Sequence, residues 1–370
     1  MRSTPLLAGV TATLLLLTAC DEKKSAPMKE PAPSEAPSAV ATAAAPAATI
    51  DTTLLNAYAQ VKGKIESPAN PITDDKVALG RALYHETRLS KNQDRSCNSC
   101  HDLAKYGVDG EKTSEGHKGQ RGARNSPTVY NAAGHFAQFW DAREKTIEDQ
   151  ALRPITNPVE MAVKDEKQIV EMLKSIPGYA ALFKKAFPDD KEPITAPNTA
   201  KAIGAFERTL VTPSRWDKLL AGDQSALTDA EKVGFAKFAD VGCPTCHSGA
   251  YVGGAELKKL GLAKPWAGKV DDTGRMAVTK AEADRLMFKV PSLRNVARTA
   301  PYFHDGSITS LDEAVKLMAR HQLGKELSDA DVKSIVTFLG ALTGDLPPAD
   351  RVGKPELPPS GPKTPKPDPT

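Results

Sequence analysis

Cysteine is scarce in this 370-residue chain: there are five, four of them in two short motifs. No thiol is left over for the disulfide framework of a small secreted scaffold. Long apolar runs are missing too. Leu6 to Leu17 is the one extended stretch, too short for a comfortable membrane span, and it reads as the apolar part of an export signal. Charge of one sign is not in excess: 49 Lys and Arg against 46 Asp and Glu leave +3, which argues for no nucleic-acid partner.

What is present is Cys97-Asn98-Ser99-Cys100-His101 and Cys243-Pro244-Thr245-Cys246-His247. Each run supplies two thiols that can add to the vinyl groups of a haem, with His101 or His247 placed to ligate the iron from one side. The expectation is two covalently bound haem c groups, and hence a protein that moves electrons. A zinc ribbon is the alternative for paired CxxC motifs, but its pairs sit within about twenty residues of each other, and Cys100 and Cys243 lie far further apart. A thioredoxin-like pair would not need a histidine next, twice.

The fifth cysteine, Cys20, follows Leu17-Thr18-Ala19 at the end of the apolar stretch. This resembles a bacterial lipoprotein signal, with Cys20 acylated as the mature N-terminus, and an ordinary cleaved signal or uncleaved anchor is the alternative. Every version exports the chain, as haem attachment outside the cytoplasm requires. Asp21 after the acylated cysteine resembles a signal for retention at the inner membrane, so the expected location is the periplasm, lipid-anchored.

The organisation follows from composition. Residues 1–20 are the signal, and 21–50 an Ala/Pro-rich segment with no aromatic residue, expected to be a flexible tether. Residues 51–211 and 212–345 are expected to be two domains with one CxxCH each, and 346–370 a disordered Pro/Lys-rich tail. The fold class is mainly α with long loops at 106–134 and 248–275. Thr228-Asp229-Ala230-Glu231 and Ser310-Leu311-Asp312-Glu313 read as capping boxes, and a third helix follows Ser328. Residues 74–84 open the first domain with Val77, Leu79 and Leu83. A helix leading into CxxCH and a later helix closing over the haem is the pattern of a cytochrome c-like domain.

Further motifs carry a family resemblance. Gly116-His117, Arg124-Asn125-Ser126-Pro127-Thr128-Val129, Asn131-Ala132-Ala133, Gln138-Phe139-Trp140-Asp141 and Asn157-Pro158-Val159-Glu160-Met161-Ala162 resemble the bacterial dihaem cytochrome c peroxidases. So do Lys289-Val290-Pro291-Ser292-Leu293-Arg294-Asn295-Val296 and Ala300-Pro301-Tyr302-Phe303-His304-Asp305-Gly306. The likeness covers nearly all of residues 70–342. It implies reduction of hydrogen peroxide to water with electrons from a small cytochrome c or a cupredoxin, by an enzyme that is often a homodimer. Two one-electron centres suit a two-electron reaction.

Roles carried over by the resemblance fall on both halves. The first domain becomes the peroxidatic, low-potential half, with His101 proximal and His117 as the distal ligand that leaves on activation; on loop position alone, His117 reads as a solvent histidine. The second becomes the electron-transferring, high-potential half, with His247 proximal and Met318 distal; from spacing alone, Met318 is equally a core residue, and Met276 and Met287 compete with it. Glu160 matches the catalytic glutamate, Gln150 a polar positioner, and Trp140 an aromatic bridge between the haems that is also a plausible core anchor. Asn125, Thr299 and Pro301 match a calcium site between the domains. His85, His135, His304 and His321 are taken as structural, with His304 the foremost exception. Two other readings stay open: a MauG-like enzyme oxidising a protein, in which tyrosine stands at the position of Met318, and a dihaem carrier with no chemistry, which has no use for Glu160 or Gln150.

Overall fold

Helices form where the caps and apolar spacing place them. Thr73 accepts from Lys76 N to start Asp74–Tyr84, and Thr228 caps Asp229–Val241 in a reciprocal capping box with Glu231. Ser310 caps Leu311–Leu323 by accepting from Glu313 N, and Ser328 caps Asp329–Ala341. This computed structural model describes residues 49–266 and 271–370. The expected signal, Cys20 and the tether as far as residue 48 lie outside the described residues. Of the described residues, most regular structure is helical, with one two-stranded antiparallel sheet pairing Leu257–Lys259 with Met287–Lys289. No helix among them is long and apolar enough to cross a membrane.

Each CxxCH is reached from a helix that crosses a later one at a glycine. In the first half Asp74–Tyr84 crosses Ala196–Glu207, and a Cβ on Gly80 would lie 1.9 Å from the Ala202 carbonyl oxygen. In the second half Asp229–Val241 crosses Asp329–Ala341, and a Cβ on Gly234 would lie 2.2 Å from the Ser334 oxygen. Only glycine permits backbones this close. One core gathers Leu79, Leu83, Ile169, Leu173, Tyr179, Phe183 and Ile203. Another centres on Trp216, Phe235, Phe238 and Phe338, whose rings meet at centroid distances of 4.9–5.3 Å.

The first described residues and the C-terminal tail depart from the expected boundaries, and each packs on the opposite half. Ile50 and Tyr58 belong to the second-half core, Tyr58 edge-on to Trp216 at 5.2 Å. The Val61 amide donates to Asp217 at 2.8 Å. The tail expected to be disordered from 346 instead lies along the first half. Val352 is buried, Leu357 packs on the first core, and the carbonyls of Gly353 and Pro358 accept from Arg81 at 2.7 Å and Arg88 at 2.8 Å. Proline has no N–H to offer a ladder. Its carbonyls remain good acceptors, and the basic helix face beneath supplies the donors.

A loop repeat relates the halves. At one constant spacing, Pro127, Asn131, Phe139 and Ala142 recur as Pro291, Asn295, Phe303 and Gly306, and the last three of each set have positive φ. The bridge Gln138–Glu144 recurs as Tyr302–Ile308, and the N-cap Thr146 as Ser310. The two copies embrace. Asn125 N donates to the His304 carbonyl at 2.8 Å, and its counterpart Lys289 N donates to the Trp140 carbonyl at 2.7 Å. Asn131 and Asn295, both fully buried, each donate an amide N–H to Thr212 Oγ1 at 2.9 Å. Thr212 sits where the two halves meet.

Candidate active site

One continuous cavity of about 670 Å³ is lined by all four motif cysteines and by both His101 and His247. The Cys97–Cys100 turn is capped by Ser96 and Ser99, and Gly242, in the left-handed region, ends the second-half helix at Cys243. The two motifs therefore line one shared cavity.

Burial depresses His101 and pulls His247 down to about 4, so both rings are neutral, as an iron ligand must be. Backbone groups of Gly107 and Pro127 face one ring and those of Val252 and Pro291 the other, yet neither buried Nδ1 makes a hydrogen bond of good geometry. Burial raises all four thiols, Cys243 to about 12, and all are unpaired. A structural zinc needs thiolates gathered at one point. No group of three or more His, Cys, Asp or Glu side chains among the described residues could hold an ion. The residues fit two haem groups and do not fit zinc.

Most of the expected site residues meet at this cavity. Glu160, Gln150, Trp140, Asn125, Thr299, Pro301 and Met318 all line it. Met276 and Met287 do not. Glu160 stands on the turn after Asn157, whose Nδ2 donates to Glu160 Oε1 at 2.8 Å. Burial raises the Glu160 carboxyl above its ordinary value, opposed by the positive charge of Arg143 and by the Asn157 hydrogen bond. Trp140 Nε1 donates to the Asn125 carbonyl at 3.0 Å, which ties the indole to the embrace between the halves. Asn125 Nδ2 is directed to the carbonyls of Glu111 and Lys112 at 3.0 and 3.4 Å.

His117 is the exception. It is buried but absent from the cavity wall, whereas Gly116 beside it is part of that wall. Its amide donates to the Glu160 carbonyl at 2.8 Å, and a Cβ on Gly116 would fall 2.0 Å from the Val159 oxygen. The loop holding His117 is thus docked on the segment that holds Glu160, with Lys118 and Gly119 in the left-handed region.

Sequence reasoning missed several residues. Arg143, stacked 3.4 Å over Phe139 and paired with Asp141, lies on the wall with Glu160. Lys289, given no role of its own, and His135, taken as structural, lie there too, and Thr212 between the halves is a further residue missed. The signal for the junction is the internal repeat itself, two loop copies at one constant spacing.

Two CxxCH motifs opening on one cavity, with Glu160 on its wall, define a class of c-type redox proteins. Comparison with known proteins narrows it. The di-haem cytochrome c peroxidase family model matches residues 74–225. The cytochrome c551 peroxidase of Nitrosomonas europaea is 47% identical over 298 residues, 80% of this chain and 87% of that protein. The cytochrome c551 peroxidase of Pseudomonas aeruginosa is 46% identical over 307 residues, 82% and 87% of the two chains. Among solved structures, a MauG-like protein associated with microbial copper homeostasis superposes with a TM-score of 0.71 at 28% identity, covering 80% of this chain and 97% of that one. The chain belongs to the dihaem cytochrome c peroxidase family, and it is an oxidoreductase that uses haem c.

Proposed function

We propose that the protein reduces hydrogen peroxide to water in the periplasm, taking electrons one at a time from a small cytochrome c or a cupredoxin. The observation that carries this is a half-buried carboxylate, Glu160, set on the cavity wall with Gln150 and Arg143 on the side of the first CxxCH. Haem, when bound, supplies the redox equivalents and the coordination position at which the peroxide bond breaks. The chain's own groups manage protons and position. Asn157 occupies Glu160 Oε1, which leaves Oε2 to take a proton from one peroxide oxygen and return it to the other. Gln150 orients the substrate by hydrogen bonding, and Arg143 holds a cation beside the carboxylate.

In this reading His101 would hold the iron of one haem, and His247 with the Met318 thioether would hold the other, which would give the second centre the higher potential. His117 would serve as a second ligand to the iron of the first centre in the resting enzyme and leave it on activation. Trp140 shortens the path between centres. Asn125, Thr299 and Pro301 would hold a calcium ion, and the halves 51–211 and 212–345 would serve as peroxidatic and electron-transferring domains. Acylated Cys20 anchors the chain, most simply at the inner membrane, and the active unit is a homodimer. Met318 on the wall favours peroxide reduction over a MauG-like oxidation of a protein, and Glu160 with Gln150 disfavours a pure carrier.

Glu160→Gln tests the proposal. Both haem spectra should persist while turnover with reduced cytochrome c falls by about 10²–10⁴-fold, the usual weight of general acid–base catalysis. Unaltered turnover removes Glu160 from the chemistry.

A further inference from the structure

Lys289 is 7% exposed, and its side chain has no carboxylate partner among the described residues. Its Nζ lies 3.1 Å from His135 Nδ1. An ammonium only donates, so Nδ1 is the bare nitrogen of a neutral imidazole and the ring proton sits on Nε2. That second nitrogen is shielded from solvent and has no hydrogen-bond partner. Burial, and after it the Lys289 charge, holds the imidazole well below its ordinary value, and burial draws Lys289 down to about 8.

The pair is built into the fold. Lys289 ends the short sheet opposite Leu257, and its amide is fixed by the Trp140 carbonyl at 2.7 Å. His135 stacks edge-on against Tyr251 at 5.6 Å. Two glycines make the room: a Cβ on Gly254 would lie 2.5 Å from His135 Cδ2, and one on Gly134 would lie 2.0 Å from the Tyr251 hydroxyl. Both side chains line the cavity of the two CxxCH motifs. The protein thus sets a cation and an imidazole N–H there and supplies no acceptor. Leaving such groups unmatched is strongly unfavourable, so the acceptor comes with whatever fills the cavity. Haem brings two carboxylates.

We infer that Lys289 and His135 form a donor pair that binds a carboxylate of one of the two haems, and that the Lys289 charge raises the reduction potential of that haem. The ammonium offers two N–H groups beyond the one given to His135, and Nε2–H adds a third. A fixed positive charge near the porphyrin favours the reduced iron, which carries one positive charge fewer. The inference rests on the haem reading of the cavity.

Equilibrium redox titration of the holoenzyme tests it, with mass spectrometry on the same sample to count haems. Lys289→Met should lower one couple by at least tenfold in its equilibrium constant, about 59 mV for one electron, and leave the other in place. Lys289→Arg should restore it. Where Lys289→Met does not accumulate, Lys289→Gln keeps the hydrogen bond and loses only the charge, and it should shift the same couple in the same direction. Two haems bound with neither couple moved overturns the donor pair while leaving the peroxidase reading intact. Fewer than two haems in the wild-type protein would sink the haem reading itself.

Discussion

Replacing Thr212 by valine should weaken the junction between the halves while leaving every helix in place. The side chains are nearly the same shape, but the hydroxyl oxygen is lost. Asn131 Nδ2 and Asn295 Nδ2, each 2.9 Å from that oxygen and on fully buried residues, then have no acceptor there. An orphaned buried donor costs about 1–3 kcal/mol, so the two together cost about 2–6 kcal/mol. The added methyl offsets roughly 1 kcal/mol of this through burial. Thr212→Ser is the control, since it keeps the oxygen and loses only a methyl, worth roughly 1 kcal/mol. The remaining bonds, Thr212 N to Asn131 Oδ1 at 3.0 Å and Gly344 N to Asn295 Oδ1 at 2.9 Å, survive in both variants. Guanidinium denaturation of the holoprotein, followed by far-ultraviolet circular dichroism, should therefore rank wild type, then serine, then valine. A valine variant as stable as the serine one would show that Thr212 does not join the two copies of the loop.

Two more tests follow from charge. Arg143 lowers a Glu160 carboxyl that burial has raised, so Arg143→Gln should raise that carboxyl further. Glu160 acts as a base only above its pKa; the acid limb of the turnover profile should accordingly move to higher pH, and a limb that stays put would separate Arg143 from Glu160. Arg294, fully buried, holds Asp217 through two bonds of 2.7 Å, and although burial pushes the Asp217 carboxyl up, that guanidinium outweighs it and leaves the carboxyl below its ordinary value. Arg294→Met should cost about 3–5 kcal/mol at neutral pH by stranding the carboxylate. The stabilisation from the depressed carboxyl is full above the unfolded value, near 4, and is lost as pH falls through the lower folded one. The gap between wild type and variant should hold down to about pH 4 and shrink below it, and a gap that denaturation midpoints show to stay constant well below pH 4 would contradict this.

The amino-acid order by itself determined the two CxxCH motifs and the helices that lead into them, because these are local: a cap, an apolar spacing or a five-residue motif carries its own instruction. Thr228 and Ser328 cap their helices as their sequence context expects. Tertiary structure alone decided what meets across the chain. Ile50 to Val61 packs on the second half and the Pro-rich tail on the first, since a buried contact depends on the surface found elsewhere. Lys289 faces His135, and Thr212 receives two asparagines, because folding two copies of one loop against each other brought distant positions together. No local pattern records such a meeting, since its energy lies in contacts between segments and not in any one of them.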